Sequence, residues 1–145
     1  GVRYGKHNFY KSKFVSFVFP ILQLFDFKIK WFFLKKSILK DQIILFDRFN
    51  IDTLADLMVD THRFNLHKTK IGKLFIKILP ANSKVFILNV NENIIRKRKV
   101  DTRFDENLSN KIKVYDILAK DLDLKIIKNN KKITDNDNLI NKIIS

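Results

Sequence analysis

Apolar residues in this chain gather into uninterrupted runs. The longest, Phe14 to Phe27 (FVSFVFPILQLFDF), sets the first limit on the fold. It spans about 14 residues before Lys28, short of the roughly 20 that a membrane-crossing helix needs, and it contains Pro20 and Asp26. A buried or interface helix is therefore expected. The pattern continues through Trp31, Phe32, Phe33, Leu34 and Ile38, giving one long or kinked helix with Pro20 at the kink or the start.

Two shorter runs, Gln42 to Phe46 (QIILF) and Val85 to Val90 (VFILNV), lack polar alternation and read as strands buried on both faces. Leu124 to Ile127 (LKII) reads as a third strand. Helical spacing covers Ile51 to Val59, Leu66 to Leu79 up to Pro80, Asn91 to Lys97 with Asn91 placed as its N-cap, Leu108 to Leu122 and Asp135 to Ile144. Lys99 to Asn107 reads as a polar loop and Asn129 to Lys132 as a turn. Strands alternating with helices predict an α/β fold with a parallel sheet and right-handed crossovers. The 145 residues suit one domain, and no linker or internal repeat divides them.

Composition excludes several classes. With 46% hydrophobic residues the chain can bury a core, so disorder is not the default. It has no cysteine, which removes disulfide scaffolds, thiolate zinc sites and cysteine nucleophiles. The net charge of +14 points toward polyanions, but Lys outnumbers Arg 23 to 6 beside abundant Phe, Ile and Asn, as an AT-rich coding sequence would produce. Position 1 is Gly, with no signal-peptide pattern behind it. The reading is a cytoplasmic, N-terminally incomplete chain.

The residues that carry chemistry follow the expected strands. Asp47 and Arg48 come directly after Gln42 to Phe46, where ligands of open α/β sheets bind. A carboxylate there can face Mg²⁺ or its waters, and a guanidinium can face phosphate. An ordinary loop ion pair is the simpler alternative. Asp52, Asp56 and Asp60 recur every four residues, either as a cation or hydroxyl site or as a solvated face paired with basic side chains. Asp52 is also placed to cap its own helix. Arg96, Lys97, Arg98, Lys99 and Arg103 form a basic cluster that can close over phosphates, or lie exposed in a loop. His62 and His67 lack metal spacing and read as surface or substrate-loop residues. Gly72, inside an apolar helix, reads as a close-packing position.

In order and spacing these segments resemble the thymidylate kinases and their thymidylate-kinase-like relatives. IILFDRFNIDTLADLMVDTHRF resembles the family's DRY segment. VFILNVNENIIRKRKVDTRFDENLSNKIKVYDILAKDL resembles its later strand, helix, lid and following helix, and LKIIKNNKKITDNDNLINKI resembles its end. The resemblance implies a three-layer, parallel-sheet P-loop-kinase-like fold that here lacks its first strand and P-loop. It implies ATP and Mg²⁺ as cofactors and transfer of the γ-phosphoryl group to a nucleoside monophosphate such as dTMP. On this resemblance Asp47 lies near the acceptor and, indirectly, Mg²⁺, and Arg48 clamps the acceptor phosphate. Phe49 stands for the usual Tyr, Asp52 lies in the substrate region, and Arg96, Arg98 and Arg103 belong to the lid and nucleotide site. With no G-x-x-x-x-G-K-[ST] in the sequence, the chain alone is expected to be inactive. Two further readings stand beside this one. One is a non-catalytic basic module that binds nucleic acid or another polyanion, including an anionic membrane surface. The other is a homodimer packed through the Phe14 to Phe33 helix.

Overall fold

The computed structural model describes residues 11–38, 43–80, 82–98 and 107–128. Contacts divide the chain into two compact units, Gly1–Ser83 and Lys84–Ser145.

The first unit is built on three helices: α1 (Lys13–Ser37), α2 (Asn50–Asp60) and α3 (Lys70–Ile76). Helix α1 begins at Ser12, whose hydroxyl accepts the Val15 N–H at 3.4 Å. It runs through Pro20 without interruption. Proline carries no N–H, so the Ser16 carbonyl loses its helical donor, and the Arg63 guanidinium donates to that oxygen at 3.5 Å instead. The Ser16 hydroxyl in turn donates to the Thr61 carbonyl at 3.4 Å. These two bonds tie the proline turn of α1 to the chain beyond α2.

The core of this unit collects Leu24, Ile51, Leu54, Ala55, Leu57, Met58, Val59, Leu66 and Phe75. Asn50, fully buried, donates from Nδ2 to the Phe75 carbonyl at 2.6 Å and so joins the start of α2 to α3. The expected helix Leu66 to Leu79 is divided: a 3-10 turn at Leu66–Lys68 precedes α3. The divider is Thr69, extended in its backbone, whose hydroxyl accepts the Gly72 N–H at 3.2 Å and starts a new helix. Gly72 is a close-packing position, as expected. A β-carbon there would stand 2.5 Å from the Cα of His67, and closer still to the Leu66 carbonyl oxygen. His67 itself is buried against the surface placement read from sequence; His62 is exposed.

The second unit holds β1 (Phe86–Asn89), α4 (Glu92–Arg98), α5 (Leu108–Asp121) and β2 (Lys125–Lys128). The two strands pair in parallel, Phe86 opposite Lys125 through Asn89 opposite Lys128. The helical connection between them is the crossover that a parallel pair requires. Ile87, Ile127, Leu108, Val114, Leu118 and Ala119 are buried in this unit. Asn91 caps α4 as expected, its side-chain oxygen accepting the Asn93 N–H at 3.0 Å.

The expected three-layer α/β sheet is not formed among the described residues. The described residues are mostly helical, and their sheet has two strands. Gln42 lies outside the described residues. Ile43 to Phe46 are not a strand and not buried: Ile43 is 76% and Leu45 77% exposed. A short apolar run carries no period that separates a buried strand from other structure. A strand also needs a neighbour for its amides, and none pairs with this segment among the described residues. Leu88, 65% exposed, further shows that β1 is covered on one face only. The 99–106 part of the expected loop, the Asn129 to Lys132 turn and the Asp135 to Ile144 helix lie outside the described residues. No helix among the described residues is long and apolar enough to cross a membrane.

Candidate functional site

The Asp47–Arg48 pair sits in a turn closed by aromatic rings. Phe46 and Phe49, on either side of it, stack with centroids 4.5 Å apart. Trp31 meets Phe49 at 5.2 Å and Phe46 at 6.1 Å, and Phe27 meets Phe49 at 5.0 Å, each edge-on. Phe49 is thus an anchor between the turn and α1.

Arg48 adopts a left-handed backbone, with φ at 65°. That conformation costs a non-glycine residue about 1–2 kcal/mol. Its guanidinium lies 3.1 Å from Asp56 Oδ2, with Nε 3.9 Å from Asp52 Oδ1. Arg48 is largely exposed, and such surface pairs contribute about 0–1 kcal/mol. The Phe46–Phe49 stack across the turn, worth about 0.5–1.5 kcal/mol beyond burial, acts with the ion pairs against this strain.

Asp52 has a second task. Its Oδ2 accepts the Phe49 N–H at 3.1 Å, the self-capping that its position suggested. The acidic stripe of α2 is accordingly a basic-paired face at Asp52 and Asp56. Both Asp52 oxygens and Asp56 Oδ2 face a guanidinium or an amide, while Asp56 Oδ1 is buried. No group of three His, Cys, Asp or Glu side chains able to hold a metal occurs among the described residues. Asp47 is exposed in the turn.

In the second unit Arg96 turns onto its own helix. Its Nε and Nη2 donate to Glu92 Oε1 at 3.0 and 2.7 Å. The same oxygen accepts the Ser109 hydroxyl at 2.9 Å, which links α4 to α5. The hydrogen bond from Arg96, then that from Ser109, hold the Glu92 carboxyl below its ordinary range. Arg98 is exposed in the last turn of α4, and Arg103 lies outside the described residues. So Arg48 is brought together with Asp52, and Arg96 with Glu92 and Ser109. Glu92, Ser109, Asn50 and Arg63 carry polar contacts that the sequence reading passed over. Glu92 and Arg96 were legible as an i, i+4 acid–base pair; the others are set by tertiary contacts.

One feature of the first unit is a ridge of uncompensated charge. Lys70, Lys73 and Lys77 follow i, i+3, i+7 spacing along α3 and its C-cap, all exposed. No acidic partner meets them among the described residues. Compared with protein-family models, curated proteins and solved structures, the chain matches none.

Proposed function

We propose that this chain is a non-catalytic basic module that binds a polyanion along the α3 lysine ridge. The observation that carries this reading is the exposed, acid-free row Lys70, Lys73 and Lys77 in a chain of net charge +14. Three ammonium groups on one helix face are spaced to follow a line of phosphates or sulfates and to release its counterions. The arginines support it less, since Arg48 and Arg96 already face carboxylates of the same chain. The test is titration of a fluorescent DNA duplex over a salt series. Affinity should fall steeply with salt, and the triple variant K70Q/K73Q/K77Q should flatten the logarithmic slope by about 3. An unchanged slope in that variant overturns the reading.

A second reading is the acceptor side of a nucleotide kinase, as the thymidylate-kinase resemblance implies, with ATP as donor. Arg48, exposed beside Asp52 and Asp56, favours it, because a phosphate can exchange for those carboxylates on the guanidinium. Calorimetric titration with dTMP should then give binding that Arg48→Ala abolishes. Equal heats for the two proteins exclude it.

A further inference from the structure

Helix α1 is apolar on two opposite faces. One face packs inward through Ser16, Pro20 and Leu24, with Phe27 and Trp31 on the aromatic cluster. The other carries Phe14, Leu22, Phe25, Ile29, Phe32 and Phe33, each more than half exposed. At 1.5 Å per residue this outward face runs for about 28 Å. An apolar face of that extent marks a contact surface.

Charge selects what the surface meets. Helix α1 carries Lys13, Lys28, Lys30, Lys35 and Lys36 against the single acid Asp26, and Asp26 is held by Lys30 at 2.7 Å. Lys28 and Lys35 border the apolar face by helical spacing, and the Lys36 ammonium sits 4.3 Å from the centre of the Phe32 ring. A second copy is a poor occupant. Antiparallel pairing brings together two helices that each carry five lysines and one acid, and parallel pairing sets each lysine beside its twin. An anionic surface accepts all of these lysines with one sign.

We propose that the outward face of α1 docks in the plane of an anionic phospholipid surface. The phenylalanines enter the acyl boundary, and the lysine stems reach back to the headgroups. The helix lies on the bilayer, because its other face stays packed on α2 and α3. This goes beyond polyanion binding at α3, since it requires apolar insertion on a different helix.

The test uses the full chain with a Phe25→Trp reporter, corrected for Trp31 by the wild-type spectrum. Vesicles of phosphatidylcholine with phosphatidylserine should shift the reporter emission to the blue, and brominated acyl chains should quench it. Phosphatidylcholine alone should do neither. In co-sedimentation, Lys28→Gln and Lys35→Gln should each weaken vesicle binding about fivefold. The double variant F25S/F32S should weaken it at least about tenfold while keeping its helical circular dichroism. K70Q/K73Q/K77Q should keep the blue shift, so failure at α3 and failure at α1 are read separately. Vesicle adsorption without a blue shift overturns the insertion. So does equal binding to neutral vesicles. A wild-type dimer in sedimentation that F25S/F32S turns into monomer also overturns it, by showing that a second copy covers the face.

Discussion

At Gly72 a single hydrogen atom decides whether two turns of chain can lie together. The backbone of Leu66 and His67 occupies the place of a β-carbon, and backbone cannot rotate aside as a side chain can. Gly72→Ala should therefore destabilise the first unit by about 3 kcal/mol, the upper end for overpacking, although alanine is the better helix former. Chemical denaturation would measure it. At Glu92 the decisive quantity is a proton. Its carboxyl is held low, so the Arg96 and Ser109 bonds contribute in full above the ordinary carboxylate range. That contribution is lost as the pH falls through the lowered value. The protection factors of the α4 amides, corrected for the intrinsic exchange rate at each pH, should be flat from neutral pH to mild acid and fall below it. Glu92→Gln should remove that acid-dependent fall and lower the neutral-pH protection only by the lost ion pair.

Helix starts in the first unit depend on single side chains. Asp52 caps α2 through the Phe49 N–H, and Thr69 caps α3 through the Gly72 N–H. Asp52→Ala and Thr69→Ala should each cost about 1 kcal/mol in thermal or denaturant unfolding. The two should add, as the side chains share no partner. Elements with a local signature were legible in sequence. The apolar period gave α1, α2 and α5, and the Asn91 cap gave α4. Ile43 to Phe46 was not legible, because its environment depends on what lies beside it. The split at Thr69 was hidden for a related reason: the apolar spacing of Leu66 to Leu79 continues across a residue whose own backbone is extended. At the candidate site the Asp52 cap and the close packing at Gly72 could be read from position alone. The pairing of Arg48 with Asp56 and the burial of His67 arise from a left-handed turn and a tertiary core.

At the scale of the whole chain, charge and apolar surface are distributed in opposite ways. Among the described residues Asp52, Asp56 and Glu92 face arginines or a helix start and Asp26 faces Lys30, while the α3 lysine row faces solvent. The salt-slope experiment on K70Q/K73Q/K77Q tests whether this excess is used, since charge retained only through codon preference would show no loss of slope specific to those three positions. The family resemblance rests on segments distributed over both units, whereas the sheet it implied reduces to β1 and β2 among the described residues.

That pair also fixes how the second unit bears load. In parallel strands the leading end of one and the trailing end of the other lie at opposite ends of the ladder. Tension applied between Lys84 and Lys128 pulls them along their lengths in opposite directions, so the inter-strand bonds are sheared together instead of opened one after another. Stretched between those two points in an optical trap, the unit should yield in one abrupt rupture, where a hairpin of equal length would unzip gradually.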